Sequence, residues 1–137
     1  MGIANLTSKL SYAKRLQVGA VIVKGNQIIG TGYNGMPTGW DNNCENEVYQ
    51  QDGTMGLKTK PEVLHAESNA IAKVSRSTES SEGATLFCTH APCIECAKLI
   101  YQSGINTVYY RDQYRDDSGL KFLEQGGVNV NQYTDSL

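Results

Sequence analysis

The residues best suited to chemistry in this sequence are two cysteines and a histidine at predicted helix starts. Cys93 and Cys96 are three positions apart directly after Pro92, and proline is favoured where a helix begins. Residues i and i+3 share a helix face, so two thiolates there can bind one metal ion, and the positive helix end favours their ionised form. His65, at the start of another predicted helix, offers a third ligand. Two sulfurs and one imidazole nitrogen suit Zn²⁺.

Glu67 stands two residues after His65 in the stretch HAESNAIAK, and a purely structural helix start has no need of this pair. Three protein ligands leave one tetrahedral zinc position for water, whose pKa zinc lowers towards ~7. A carboxylate two residues from a ligand can approach that water without binding the metal, and can carry its proton to a substrate. The combination predicts a catalytic zinc site with Glu67 as the proton carrier.

Each half of this pattern also has a structural interpretation. The C-x-x-C spacing occurs in redox pairs and structural zinc sites, and a first-turn glutamate often only complements the helix dipole. A structural zinc would need a fourth protein ligand, and Cys44 or His90 could serve only if a loop folded inward, which would leave Glu67 without a role. Together, H-x-E and P-C-x-x-C form the signature of zinc-dependent nucleobase deaminases, which favours catalysis.

Length, composition and charge restrict the class of protein. The 137 residues fit one domain over residues 1–137, and 39% hydrophobic with 19% charged residues is typical of a soluble globular protein. A net charge of -2 argues against non-specific nucleic-acid binding, which needs a basic surface. No apolar run approaches the ~20 residues of a membrane span, and the start lacks a signal peptide's apolar region. We therefore expect a cytoplasmic protein without nucleic-acid or membrane partners.

Alternating helices and strands must position the candidate residues. The patterns predict helices at 3–16, 65–76, from about Pro92 to Gly104, and 116–125, and strands at 18–23, 28–33, 83–89, 105–110 and 128–130. The polar segment 34–61 is predicted to be a long functional or mobile loop. Helices between strands imply a partly parallel sheet covered by helices, an α/β fold. Cys88, in a predicted strand, is expected to be a buried small hydrophobe.

Six segments resemble the cytidine deaminase superfamily and, more closely, its deoxycytidylate (dCMP) deaminase branch. In the family's order, and spread over residues 15–116, they are RLQVGAVIV, IIGTGYNGMPTG, HAESNAIAK, GATLFCTHAPCIECAKLI, GINTVYY and YRD. GYNGMP separates the dCMP branch from most nucleoside and tRNA deaminases. The resemblance implies a three-layer α/β sandwich with a central five-stranded mixed sheet.

The resemblance also implies an activity and its context. The reaction is hydrolytic deamination of dCMP to dUMP and ammonia, which feeds thymidylate synthesis, with zinc on His65, Cys93 and Cys96 and proton transfer by Glu67. Family members are commonly homohexamers, activated by dCTP and inhibited by dTTP, and some are phage-encoded and act in the host cytoplasm. The alternatives are another deaminase of the superfamily, acting on free cytidine, guanine or a tRNA base, and a non-catalytic structural-zinc module.

Substrate positions follow from the same resemblance. Asn34 matches a sugar-contacting asparagine, although an asparagine before glycine also suits a turn. Arg15 and Arg115 match phosphate-contacting positions, although each could be a solvated surface arginine. Tyr114 could stack on the base or ribose, and the backbone near Ala66 and near Cys93 is expected to hold the pyrimidine edge.

The effector site is expected in the segment after the second strand. Relatives bind a triphosphate there, so we expect dCTP or dTTP, with Mg²⁺ on a nearby acid, around Gly35, Trp40 and Asp41. Trp40 departs from the family pattern, in which many members have a cysteine or a small residue after the glycine. This departure predicts an altered effector loop.

Overall fold

The computed structural model describes residues 1–134, so the last three residues of the predicted domain span lie outside the described part. Within residues 1–134, the helices are α1 (Gly2–Ser8), α2 (Ala66–Ser75), α3 (Ile94–Gln102) and α4 (Ser118–Gln125). The strands are β1 (Gly19–Lys24), β2 (Gln27–Tyr33), β3 (Glu45–Tyr49), β4 (Met55–Thr59), β5 (Thr85–His90), β6 (Thr107–Asp112) and β7 (Asn129–Gln132). None of the described helices is both long and apolar enough to cross a membrane.

Five strands form the central sheet, in the order β2-β1-β5-β6-β7. β1 runs antiparallel to β2 and β5, while the β5–β6 and β6–β7 pairs are parallel. The β1–β2 pair is a tight hairpin whose turn residues Gly25 and Asn26 have φ of 56° and 66°, a conformation that glycine and asparagine tolerate. The parallel pairs require crossovers, which α3 and α4 supply. The predicted five-stranded mixed sheet is therefore confirmed.

Helices cover both faces of this sheet. Ile22 and Gly32 belong to the face that packs on α2, because a Cβ at Gly32 would meet the α2 backbone. Gly19 lies on the opposite face, where it meets α1. α3 and α4 pack on the α2 side of the sheet, where their apolar residues complete the core. The largest fully buried side chains include Ile22, Leu86, Ile100, Val108 and Leu123, and each stabilises the fold by roughly 1.5–3 kcal/mol.

The first helix is shorter than its sequence pattern predicts. The prediction of a helix over 3–16 is wrong beyond residue 8, because the chain turns away after Ser8. Ser11, 5% exposed, donates its hydroxyl proton to the carbonyl oxygen of Asn34 at 2.8 Å, which ties this segment to the end of β2. Leu10 and Leu16 remain exposed, so their helical spacing does not reflect packing. A tertiary contact has overridden local propensity.

The predicted loop over 34–61 contains a second, two-stranded sheet. β3 and β4 pair antiparallel, with Glu45 opposite Thr59, and Gly53 occupies their turn with φ of 83°. The prediction of a loop without regular structure is therefore wrong for residues 45–59. Most residues of both strands are exposed, so no alternation of apolar and polar residues marked them in the sequence.

The close approach of β2 to α2 gives a test of the fold. Replacing Gly32 with alanine would place a Cβ against the carbonyl oxygen of Ala66 and within 2.6 Å of the Ala70 nitrogen. We expect Gly32→Ala to lower the free energy of unfolding by about 1–3 kcal/mol, because backbone atoms cannot give way as side chains do. Gly35→Ala is the control, since a Cβ there meets nothing within 4 Å. Urea unfolding that shows equal effects for the two variants would contradict this packing.

Candidate active site

The three candidate zinc ligands lie where two helices begin. His65 is the N-cap of α2 and Cys93 the N-cap of α3, both with extended backbone, while Cys96 lies in the first turn of α3. The sequence predicts Pro92 in the first helical turn, but in the structure it precedes the α3 N-cap. Packing of α2 against α3 brings the two helix starts together.

The ligand atoms of these residues fit a zinc ion. His65 Nδ1 lies 3.3 Å from Cys96 Sγ and 3.5 Å from Cys93 Sγ, and the three atoms lie within 4.8 Å of one another. Tetrahedral Zn–S and Zn–N bonds place such atoms roughly 3.5 Å apart. Within residues 1–134 the group consists of these three ligands, so neither Cys44 nor His90 joins it. The geometry leaves a coordination position for a non-protein ligand.

Electrostatics within the cluster prepare it for a cation. Hydrogen bonds from the Cys96 thiol and the His65 ring lower the pKa of Cys93 to about 3. The neighbouring Cys93 thiolate and burial raise the pKa of Cys96 well above its ordinary value. The hydrogen bond to Cys93 raises the pKa of His65. One thiolate therefore forms readily, and the second needs a bound cation to replace its proton.

Glu67 lies in the first turn of α2 and is 4% exposed. Burial raises the pKa of its carboxyl group, and a hydrogen bond with Cys96 partly offsets that effect. A buried carboxyl group with a raised pKa binds a proton more readily than an exposed one, so it can accept a proton and later release it. Glu67 also lines the cleft into which the cluster opens. The structure thus places a buried carboxyl group beside the candidate metal ligands.

A cleft of about 520 Å³ opens over the cluster, which is a typical size for a small-molecule site. Cys96, 3% exposed, lies beneath the cleft and does not line it. The lining of the cleft includes most of the positions predicted from the sequence, namely Arg15, Asn34, His65, Ala66, Glu67, Cys93, Tyr114 and Arg115. The structure therefore gathers the predicted metal, proton-transfer and substrate positions in one place.

The cations and the aromatic ring come from loops beside the sheet. Arg15 belongs to the segment between α1 and β1, and its Nη1 lies 3.5 Å from Thr59 Oγ1. Tyr114 and Arg115 follow β6, and both are exposed. Loops beyond the carboxyl ends of strands commonly build sites in α/β folds. Two positive charges thus reach the cleft from separate loops.

Asn34 lines the cleft, but its side chain also holds the backbone. Its amide oxygen accepts the N–H of Val18 at 2.9 Å, and its amide nitrogen donates to the carbonyl oxygen of Leu16 at 2.8 Å. Asn34 therefore has a structural role, because its side chain fixes the backbone that leads into β1. Each amide group keeps further hydrogen-bonding capacity for a ligand.

The three positions expected at an effector site do not line this cleft. Gly35 forms a two-way backbone bridge with Leu64, just before α2. Trp40 is 57% exposed, and an Asp41 oxygen accepts the N–H of Asn43 at 2.8 Å. These residues occupy the connection between β2 and β3.

Two polar residues lie in the cleft wall in a role that the sequence did not predict, since His90 was weighed only as a zinc ligand and Asp112 not at all. His90 ends β5 and Asp112 ends β6, and they are neighbours in the parallel register. His90 Nε2 lies 3.4 Å from Asp112 Oδ2, while His90 Nδ1 lies 3.0 Å from Thr89 Oγ1. Burial lowers the pKa of His90. The sequence signal that could have revealed this pair is that both residues end adjacent predicted strands.

The expected burial of Cys88 is confirmed, since this residue is fully buried in β5.

Comparison with known families decides between the candidate classes. Residues 1–112 match the family described as "Cytidine and deoxycytidylate deaminase zinc-binding region". The chain belongs to this family. The match includes both helix starts that carry the candidate ligands, and it confirms the resemblance to dCMP and cytidine deaminases.

Individual relatives agree with this assignment. The dCMP deaminase of cyanophage S-TIM5, solved with dCMP and dUMP, is 45% identical, with a TM-score of 0.85 over 96% of this chain and 92% of that one. ComE operon protein 2 of Bacillus subtilis is 38% identical over 133 residues, 96% of this chain and 68% of that protein. Deoxycytidylate deaminase of Schizosaccharomyces pombe is 35% identical over 97% of this chain. This chain covers 42% of that yeast protein, less than half its length.

The ligand assignment predicts which cysteine the metal needs. We expect Cys96→Ala to lose most bound zinc, because two remaining ligands hold the ion far less well than three. Cys44→Ala is the matched control, since Cys44 is also buried but lies outside the ligand group. Zinc content after gel filtration, measured by mass spectrometry of the metal, separates the two. Similar zinc loss in both variants would contradict the assignment.

Proposed function

We propose that this chain, as one domain over residues 1–137, catalyses the hydrolysis of dCMP to dUMP and ammonia and so supplies dUMP for thymidylate synthesis. The observation that carries the proposal is the cleft in which a His-Cys-Cys cluster and a buried glutamate meet two arginines. The similarity to a deaminase solved with dCMP and dUMP supports the substrate. An exposed arginine pair also favours a phosphorylated nucleotide over a free nucleoside.

Proton transfer is the task we assign to Glu67. Zn²⁺ held by His65, Cys93 and Cys96 would supply a bound water of lowered pKa as the nucleophile. Glu67 takes a proton from the attacking water and gives it to N3 of the cytosine ring as oxygen adds to C4. Glu67 then carries the remaining proton of the added oxygen to the amino group, and ammonia leaves with the C4–N electron pair as the C4 carbonyl of dUMP forms. The raised pKa of this carboxyl group supports both directions of transfer.

The remaining cleft residues bind and orient the nucleotide. Ala66 is the first residue of α2, and N–H groups in a first helical turn have no partner within the helix, so they can hold the pyrimidine edge. We assign the phosphate to Arg15 and Arg115, the sugar to Asn34 and the face of the base or ribose to Tyr114. Charge-assisted hydrogen bonds from two guanidinium groups suit a phosphate dianion.

Regulation and assembly form the second part of the proposal. We propose activation by dCTP and inhibition by dTTP, bound with Mg²⁺ around Gly35, Trp40 and Asp41, in a homohexamer that works in the cytoplasm. Trp40 and Asp41 are exposed, which supports contact with an effector. The connection that carries them follows directly after Asn34, which lines the cleft. Two distinct sites are a requirement of such coupling.

Glu67→Gln tests the mechanism. We expect the variant to keep its zinc and to lose about 10²–10⁴-fold in kcat for dCMP, because the amide cannot carry the proton. Glu95→Gln is the matched control, a first-turn glutamate of α3 that is exposed. Zinc-loaded wild-type protein that ignores dCMP but deaminates cytidine or another base would overturn the substrate. Unchanged turnover of Glu67→Gln would overturn the assigned role.

Effector control is tested with the wild-type protein. At dCMP concentrations below KM, we expect dCTP with Mg²⁺ to raise the rate and dTTP with Mg²⁺ to lower it, because each shifts the balance between two conformations. Initial rates with dCMP, CMP, deoxycytidine and cytidine, each with and without effector, provide the measurement. A preference for dCMP that neither effector changes would retain the enzyme and remove the regulation.

A further inference from the structure

A buried glutamate outside the cleft lining contacts the segment that carries Arg15. Glu45, the first residue of β3, is 4% exposed. Its Oε1 accepts the backbone N–H of Lys14 at 2.6 Å and that of Arg15 at 3.3 Å. Burying a carboxylate is unfavourable unless such hydrogen bonds compensate, and bonds to a charged acceptor are stronger than neutral ones. These contacts join residues about 30 positions apart in sequence.

Asn34 holds the backbone on one side of Arg15, at Leu16 and Val18, while the hydrogen bonds at Lys14 and at Arg15 itself come from Glu45. Residues 9–18 lie outside helices and strands, and the Arg15 side chain is exposed. The guanidinium Nη1 lies 3.5 Å from Thr59 Oγ1, and Thr59 is the residue opposite Glu45 in the β3–β4 pair. The hairpin thus contacts Arg15 twice, at its backbone through Glu45 and at its guanidinium through Thr59.

We propose that Glu45 is a positioning residue that holds Arg15 over the cleft, and that it thereby sets the preference for a nucleoside monophosphate over the free nucleoside. This inference rests on the proposed function, because it concerns the phosphate of the same substrate. Fixing the backbone removes conformational freedom that phosphate binding would otherwise have to restrict. The effect of Glu45 reaches the ligand only through Arg15.

Charge alone would give the opposite result. A carboxylate near a phosphate site repels the ligand, so removal of its charge should improve phosphate binding if electrostatics dominated. Removal of the hydrogen-bond acceptor should weaken phosphate binding if positioning dominates. Glu45→Ala and Glu45→Gln separate these effects, because glutamine keeps an oxygen that can accept both N–H groups while it lacks the charge.

The experiment measures kcat and KM for dCMP and for deoxycytidine with zinc-loaded protein. We expect Glu45→Ala to raise KM for dCMP about 10-fold or more, with kcat/KM for deoxycytidine within about 3-fold of wild type, since small displacements of a binding group have large effects. Glu45→Gln should restore much of the loss. Glu47→Ala, an exposed acid on the same strand, should match wild type. Arg15→Ala and Glu45→Ala together should be no worse than Arg15→Ala alone.

Several outcomes would overturn the inference. Equal losses of kcat/KM for dCMP and deoxycytidine in Glu45→Ala would indicate a merely structural role. Zinc content and the midpoints of urea unfolding would show whether the variant has lost its fold. A lower KM for dCMP in Glu45→Ala, or additive losses in the double variant, would also overturn it. If wild type does not deaminate dCMP, the proposed function fails, and calorimetric affinities for dCMP and deoxycytidine then test the inference. Equal affinities of wild type for these two ligands would overturn it as well.

Discussion

The approach of two helix starts is the contact on which the candidate site depends. α2 and α3 pack so that His65 Nδ1 comes within 3.5 Å of both sulfurs of the Cys93–Cys96 pair. Neither helix end is a metal site alone, because one offers a single imidazole and the other two thiols. Their junction also brings Glu67 beside Cys96, where burial raises the pKa of this carboxyl group. The helix packing therefore brings the candidate metal ligands and the candidate proton carrier together.

Around the junction of the two helix starts, irregular segments form the rest of the cleft wall. The segment before β1 brings Arg15, and the loop after β6 brings Tyr114 and Arg115. Such segments have few backbone hydrogen bonds of their own, so tertiary contacts must hold them. Asn34 holds residues 16 and 18, and Glu45 holds residues 14 and 15. The candidate metal ligands lie at helix ends, while side-chain contacts hold the segments around the candidate substrate-binding residues.

The fold illustrates which sequence signals carry tertiary information. The apolar strand around Ile22 and the Pro92–Gly104 helix were predictable, because burial imposes hydrophobic patterns and caps. The helix expected over 3–16 ends at Ser8 because Ser11 bonds to the end of β2. The hairpin at 45–59 left no pattern because most of its residues are exposed. Elements that pack on the core could be predicted, whereas the exposed hairpin and the turn after Ser8 could not.

By itself, the sequence determined the family and predicted the zinc ligands and the proton carrier, since residue type and short spacing suffice for these. His65, Glu67, Cys93 and Cys96 could all be proposed because each pair lies on one short helical segment. Only the tertiary structure decided that His90 and Asp112 share the cleft wall and that Glu45 reaches the Arg15 backbone. These contacts join residues far apart in sequence, and their distances depend on strand register and loop paths. Such distances cannot be predicted from a single sequence, because contacts between residues far apart in sequence leave no periodic pattern of residue types.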